Sequence, residues 1–193
     1  MTTTPPWLPI ETERLLLRDF HEADFDPIHA YATDPEVVRY MTWGPNTPEV
    51  TREVLDRNLE RQKAWPREQL DLAVEVKATG AMIGVVSLHD ANTDNSSFGY
   101  CYSRDAWGQG YGTEAAKALA RIAFTELGHH RIWATCDARN HGSYAIMEKV
   151  GMRREGHLLK DTKAHDGWRD SYVYALLAEE WRAANSEYYP GIN

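Results

Sequence analysis

The stretch Ala106-Trp-Gly-Gln-Gly-Tyr-Gly-Thr-Glu-Ala115 carries three glycines at every second position and runs directly into good helix formers at residues 113–119. A glycine-rich loop that ends at a helix N-terminus can direct several backbone N–H groups at one point, where the helix dipole adds partial positive charge. The pattern predicts a site for a phosphate or pyrophosphate. A tight turn before a buried helix accounts for the same glycines equally well, because glycine is the usual residue of strained turns.

Two nucleotide-binding motifs are similar to this loop. A triphosphate P-loop needs a Lys-Ser/Thr pair directly after its last glycine, and Thr113-Glu114 does not supply one, so this motif is excluded. A dinucleotide fingerprint, G-x-G-x-x-A, does match residues 110–115, with Asp137 as the following acidic residue. Residues 103–107 separate the loop from the preceding strand, and that strand is joined to others by hairpins. These features disfavour the dinucleotide fold but leave it open.

Composition limits the class of protein. The chain has 193 residues, 42% of them hydrophobic and 26% charged, which predicts a single globular domain at residues 1–193 with a flexible lead-in at residues 1–9. It has neither a signal-peptide pattern nor an apolar run near the roughly 18 residues of a membrane span, so we expect a cytoplasmic protein without a membrane partner. The net charge of −8 disfavours nucleic acid and tolerates a cationic substrate. The two cysteines belong to no metal-spaced cluster, and no metal is expected.

Hydrophobic periodicity predicts the elements on either side of the loop. Before it we expect a strand at 13–18, a helix at 24–33 capped by Asp24, a short helix from Asp34, a helix from Thr47 or Pro48 to about Ala64 with Val50 facing inward, and three antiparallel strands at 72–76, 82–88 and 97–102. After it we expect a helix ending at Gly128, a strand at 131–136 parallel to the one before the loop, a helix at 143–150, and strands at 154–161 and 169–177. His129 and His130 are interpreted as charges that complement the helix C-terminus.

Several segments together resemble one protein family. The loop at residues 107–112 fits the pyrophosphate loop Q/R-x-x-G-x-G/A of the GNAT acyltransferase superfamily, except that Trp107 replaces Gln or Arg. The segments similar to the RimJ/RimL-type branch, which acetylates N-termini of ribosomal proteins, are residues 11–18, 34–41, 107–115 and 140–152. This resemblance implies an α+β GNAT fold, with a mixed central sheet splayed at its middle strands and helices on both faces.

The resemblance also implies acetyl-CoA as co-substrate. Its pyrophosphate would lie on the loop N–H groups, and its pantetheine arm would lie between the strand around Cys101 and the strand around Cys136. A backbone N–H near Cys101 or Tyr102 would polarise the thioester carbonyl. The residues expected to bind acetyl-CoA are Cys101, Tyr102, Ser103, Gln109, Gly110, Tyr111, Gly112, Thr113, Asn140 and Ser143.

The acceptor implied by the resemblance is an amine that attacks acetyl-CoA directly, without a covalent enzyme intermediate. An α-amino group, with a pKa of about 7.7 to 8.0, demands less of a base than a lysine-type amine at about 10.4. A protein or peptide N-terminus is therefore the expected acceptor, and a polyamine, an aminoglycoside or another small amine is the alternative. A non-catalytic acyl-CoA-binding module also stays open, because Met147 and Ser97 stand where the family often has Tyr and Glu. A homodimer is compatible with the sequence.

Candidate catalytic and acceptor-binding residues follow from the same comparison. Ser143 is expected to protonate the CoA thiolate, with Tyr144 as second candidate, although serine is also favoured as a helix cap. His89 is a candidate base because histidine titrates near neutral pH, and a solvated turn histidine is its alternative. The residues expected to line the acceptor site are Tyr40, Met41 and Trp43, for which core packing is the alternative.

Overall fold

A computed structural model describes residues 5–186 of the protein, and one mixed sheet of eight strands lies at its centre. The strands are β1 (Ile10–Glu11), β2 (Leu15–Arg18), β3 (Gln69–Val76), β4 (Ala81–His89), β5 (Asn95–Tyr102), β6 (Arg131–Asp137), β7 (Arg153–Ala164) and β8 (Gly167–Leu177). The helices are α1 (Phe25–Thr33), α2 (Pro35–Val38), α3 (Pro48–Arg61), α4 (Tyr111–Thr125), α5 (His141–Val150) and α6 (Ala178–Ala184). The strand order is β1-β2-β3-β4-β5-β6-β8-β7. The predicted α+β class and mixed sheet are confirmed.

The two faces of the sheet are covered by different helices. Alternate side chains of β5 point to opposite faces. Phe98 and Tyr102 join the larger core cluster together with Leu119 of α4, whereas Cys101 joins a second cluster with Tyr31 of α1 and Leu55 of α3. Strand β5 therefore separates a layer built by α4 from a layer built by α1 and α3.

The sheet opens between β5 and β6, the single parallel pair among the described strands. Strands β5 and β6 are in register from the pair Asn95 and Arg131 to the pair Ser97 and Trp133, where their pairing ends. Both strands continue beyond this point, β5 to Tyr102 and β6 to Asp137. The predicted splay at the middle strands is thus present, and it leaves a gap with unpaired backbone on both sides.

Two helices have the N-cap bonds that the sequence predicts, because no other group competes for the capping side chain. The Asp34 carboxylate accepts from the Glu36 N–H at 3.0 Å and the Thr47 hydroxyl from the Val50 N–H at 3.4 Å, as typical N-caps do. Asp24 precedes α1 but makes no side-chain cap hydrogen bond. Its carboxylate instead accepts two bonds from Arg18, at 2.8 and 2.9 Å. The predicted cap was wrong because a charged guanidinium is the stronger partner.

Two other details of the N-terminal half differ from the prediction. Val50 is 41% exposed, and the neighbouring Thr51 is buried instead, its hydroxyl 2.9 Å from the Nδ1 atom of His29. The prediction of a flexible segment at residues 1–9 is not met at Leu8, which is only 8% exposed and belongs to the larger core. Residues 1–4 of that predicted segment lie outside the described residues.

His129 is a buried neutral side chain rather than a helix-terminal charge. It is 1% exposed, with Nδ1 at 3.1 Å from the Ser96 hydroxyl and Nε2 at 3.1 Å from the Ala91 carbonyl oxygen. Burial lowers the pKa of His129 because the imidazolium loses its hydration. A neutral imidazole can donate from one nitrogen and accept at the other, which suits these two partners.

We expect the free energy of unfolding to decrease as the pH falls below about 6.5, because the unfolded chain binds a proton that the folded His129 resists. The stabilisation that comes from the neutral His129 is fully present above about pH 6.5, and it is lost as the pH falls through the lower pKa that His129 has in the folded state. Urea unfolding at a series of pH values measures it. His129→Gln should flatten the dependence, whereas His130→Gln, at an exposed position, should not; equal slopes in all three proteins would contradict the assignment.

Candidate active site

A cavity of about 670 Å³ lies beside the end of β5. Its walls come from the segment that follows α2, the last residues of β5, the glycine loop and the first turns of α5. The sequence-predicted residues that line it are Tyr40, Met41, Cys101, Tyr102, Gly110, Gly112, Thr113, Asn140 and Ser143. The structure therefore brings together most of the predicted co-substrate residues and two of the three predicted acceptor residues.

The glycine loop has the backbone geometry of an anion cradle. Gly108 and Gly110 have φ angles of +73° and +83°, in the left-handed region that L side chains rarely adopt. Gly110 is the N-cap of α4, so the first N–H groups of that helix have no intrahelical acceptor and are available to a ligand. Trp107 holds the start of the loop, since its indole N–H donates to the Tyr102 carbonyl oxygen at 3.0 Å. These residues fit a diphosphate.

Three residues, which we call the brace, support this loop from its outer side. They are Thr12 and Arg14 of the β1–β2 turn and Glu114 of α4. The Glu114 carboxylate accepts from the Thr12 hydroxyl at 2.6 Å, from the Arg14 N–H at 2.8 Å and from the Arg14 Nε at 2.7 Å. Arg14 also donates to the Gln109 carbonyl oxygen at 3.0 Å, and its guanidinium lies 4.6 Å from the centre of the Tyr111 ring. Neither Gln109 nor Tyr111 lines the cavity. Gln109 and Tyr111 instead contact Arg14, so they connect the loop to the brace.

The gap beside β5 exposes specific backbone groups. The Ser103 N–H donates to the Ile83 carbonyl oxygen on β4 at 2.8 Å and so points away from the gap, and Ser103 does not line the cavity. Hydrogen bonding alternates along an antiparallel ladder, so Cys101 also pairs with β4 while Tyr100 and Tyr102 direct their N–H groups toward β6. The expectation that the Cys101 N–H polarises the thioester carbonyl is therefore corrected. The backbone donors that face the gap belong to Tyr100 and Tyr102.

The first turn of α5 presents Ser143 to the cavity. Asn140 is the N-cap, and its side-chain oxygen accepts from the Ser143 N–H at 3.1 Å, so the cap role considered for Ser143 belongs to Asn140. The Tyr100 hydroxyl donates to the Ser143 carbonyl oxygen at 2.7 Å and lies 3.1 Å from its Oγ atom. Sequence reasoning missed Tyr100 as a functional side chain. The alternation of β5, which places residues 98, 100 and 102 on one face, is the signal that was available.

Three further predicted residues do not line the cavity. The Tyr144 hydroxyl lies 2.9 Å from the Nδ1 atom of His141, and its ring packs edge-on against Tyr172. Trp43 is 40% exposed. His89 pairs with Ser97 at the far end of β5, and its Nε2 atom lies 3.4 Å from the position that a Cβ atom on Gly99 would occupy.

Both cysteines near the gap are protonated thiols. Burial raises the pKa of Cys101 to about 12 and the pKa of Cys136 to about 11. Since the thiolate is the nucleophilic form, neither side chain is activated for covalent catalysis near neutral pH.

Among residues 5–186 there is no group of three or more His, Cys, Asp or Glu arranged to hold a metal ion. In the same range, no helix is both long and apolar enough to cross a bilayer.

A glycine loop at a helix N-terminus, beside two diverging strands, is the arrangement expected of a transferase that uses acyl-CoA. The family described as "Acetyltransferase (GNAT) domain" matches residues 14–153. The N-acetyltransferase YnaD of Bacillus subtilis is 32% identical over 174 residues, which are 89% of this chain and 98% of that protein. The chain therefore belongs to the GNAT acetyltransferase family, and it is an acetyl-CoA-dependent N-acetyltransferase.

Solved structures support the same fold. A GNAT-family acetyltransferase from Bacillus anthracis superposes with a TM-score of 0.80 at 33% identity, covering 89% of this chain and 99% of that one. A spermidine N-acetyltransferase from Vibrio cholerae, solved with CoA and spermine, superposes with a TM-score of 0.75 at 18% identity, covering 88% and 99%. At that level of identity the second likeness concerns the fold alone.

Proposed function

We propose that the protein, acting as a single domain, acetylates the α-amino group of a peptide or protein N-terminus, as the RimJ/RimL-type branch does. The observation that carries this proposal is the charge of the cavity. Its charged lining residues are Glu36, Arg39, Arg139 and Lys149, so Glu36 is the one carboxylate among the described lining residues. A polyamine carries several positive charges and is best bound by several carboxylates, whereas an N-terminus brings a single amino group.

An α-amino acceptor also suits the proton chemistry of the cavity. With a pKa of about 7.7 to 8.0, a substantial fraction of such a group is neutral near pH 7.5, so no strong base has to lie beside it. His89 is proposed to accept the proton through water, because its Nε2 atom lies over Gly99 on the face of β5 that carries Cys101. Tyr40 and Met41 are proposed to hold the acceptor chain on the same side.

The reaction proposed is one direct transfer. The neutral amine nitrogen attacks the thioester carbonyl carbon, the C–N bond forms and the C–S bond breaks. The Tyr100 or Tyr102 N–H that faces the gap donates to the carbonyl oxygen as it becomes negative. One proton leaves the nitrogen and one is taken up by the CoA sulfur from Ser143. The raised pKa values of Cys101 and Cys136 support a mechanism without an acyl-enzyme.

The test compares acceptors of different charge. Release of free CoA is measured with acetyl-CoA and a short peptide with a free N-terminus, the same peptide blocked at its N-terminus, spermidine and an aminoglycoside. We expect turnover with the free peptide, none with the blocked peptide and a kcat/KM at least about tenfold lower for spermidine, about 1.4 kcal/mol of discrimination. A preference for spermidine would contradict the acceptor assignment, and turnover of the blocked peptide through a lysine would contradict it as well.

A further inference from the structure

Three polar side chains converge at the gap, and the reaction described above uses only one of them. The Tyr100 hydroxyl of β5 lies 2.7 Å from the Ser143 carbonyl oxygen and 3.1 Å from Ser143 Oγ. The Cys136 side chain of β6 is near enough to the same Ser143 hydroxyl for that hydroxyl to lower the pKa of the thiol. The serine therefore lies between a phenol on one diverging strand and a sulfur on the other.

Tyr100 keeps its proton and acts as a donor. Burial raises the pKa of Tyr100 well above the usual value of about 10, because a phenolate would lose its hydration there. A phenol has a single proton to donate, and the short contact to the Ser143 carbonyl oxygen takes it. This bond fixes the first turn of α5 against β5, and in the 3.1 Å contact the Ser143 hydroxyl is then the donor and the phenol oxygen the acceptor.

The Ser143 hydroxyl also acts on a sulfur. Burial raises the pKa of Cys136, and the neighbouring Ser143 hydroxyl lowers it, as a donor that favours the thiolate does. The same hydroxyl is therefore suited to a sulfur located in the gap. A CoA thiolate released in the same gap would be a stronger acceptor than a neutral thiol, because it is charged.

We propose that Tyr100 is a positioning residue that acts through Ser143, and this inference rests on the proposed role of Ser143 as proton donor. Tyr100 fixes the serine by donating to its carbonyl oxygen, and this bond holds Oγ, 3.1 Å from the phenol oxygen, in place while Oγ gives its proton to the CoA sulfur. The serine regains a proton through the water path on which His89 returns the one it took from the amine. The proton balance of the transfer is closed without any further reactant.

A double-mutant cycle tests the proposal, with Tyr100→Phe, Ser143→Ala and the double variant. Each is measured with the amine that the unchanged enzyme acetylates fastest, so the result does not depend on the acceptor assignment. We expect Tyr100→Phe to lower kcat about tenfold while the Kd for acetyl-CoA stays within about twofold. In the Ser143→Ala background the same change should lower kcat no further.

Tyr174→Phe is the matched control. Tyr174 lies on β8 and does not line the cavity, and its hydroxyl donates to the Glu148 carboxylate of α5 at 2.8 Å. The change therefore removes a phenol bond to the same helix away from Ser143, and it should leave kcat unchanged. An acetyl donor with a more acidic thiol provides a second readout, since a better leaving group needs less protonation and should reduce the effect of Tyr100→Phe.

Specific results would overturn the inference. They are an equal loss of kcat on Tyr100→Phe with and without the Ser143 hydroxyl, a Tyr174→Phe effect as large as that of Tyr100→Phe, or a Tyr100→Phe effect that does not change with the leaving group. A preference for spermidine together with the expected cycle would instead reject the proposed acceptor and keep the role of Tyr100.

Discussion

Replacing Gly110 with valine is expected to raise the Kd of acetyl-CoA by at least about 100-fold, equivalent to about 2.7 kcal/mol. The φ angle of Gly110 is +83°, a region that is strongly unfavourable for a β-branched side chain. A Cβ atom there would lie 3.4 Å from the Arg14 Nη2 atom, an ordinary van der Waals contact, so the strain comes from the backbone angle. Rotation of the backbone to relieve this strain turns the N–H groups of the cradle away from the diphosphate. Isothermal titration with acetyl-CoA measures the loss.

Gly128→Val is the control for backbone strain. Gly128 has a φ angle of +70°, and a Cβ atom there would have no neighbour within 4 Å. It follows the C-terminal end of α4, at the opposite end of the helix from the cradle. The control should lose stability from the same kind of strain and bind acetyl-CoA normally. Similar affinities for the Gly110 variant and the unchanged enzyme would refute the cradle assignment.

Replacing Ser143 with alanine is expected to lower kcat about 100-fold, within the range of general acid catalysis, and to leave the Kd of acetyl-CoA within about twofold. The change removes only the hydroxyl, since the cap bond from the Ser143 N–H to Asn140 belongs to the backbone and persists. The leaving thiolate then has to take its proton from water. Steady-state kinetics and a titration with acetyl-CoA separate the two effects.

Ser143→Thr keeps a hydroxyl at the same position and serves as the matched control. Its kcat should stay within about tenfold of the unchanged enzyme. An alanine variant with an unaltered kcat would remove Ser143 from the mechanism, and one with a weakened Kd and an unaltered kcat would assign it to binding instead.

The co-substrate end of the site was largely predictable from sequence because its signals are local. The glycines, the helix that they open and the strand before them are contiguous, and the positive φ angles at Gly108 and Gly110 follow from the choice of glycine. Cap residues such as Asp34 and Thr47 were predictable for the same reason. Their partners lie two or three residues further along the chain.

The proton-transfer end was not predictable because its contacts join distant residues. Tyr100 and Ser143 are 43 residues apart, and nothing in either segment alone indicates that they meet. His89 has the right chemistry, yet the register that pairs it with Ser97 places it outside the cavity lining. Asp24 failed as a cap for a similar reason. Its stronger partner, Arg18, belongs to a different element.

The brace links co-substrate binding to the integrity of the whole chain. Glu114 is 100 residues from Arg14 and 102 from Thr12, so the cradle acquires its outer support only when the N-terminal strands have docked. A ligand that binds only this closed arrangement stabilises it by mass action. Saturation with acetyl-CoA should therefore slow hydrogen exchange in β2, which the ligand does not touch, and make that strand a distant reporter of occupancy.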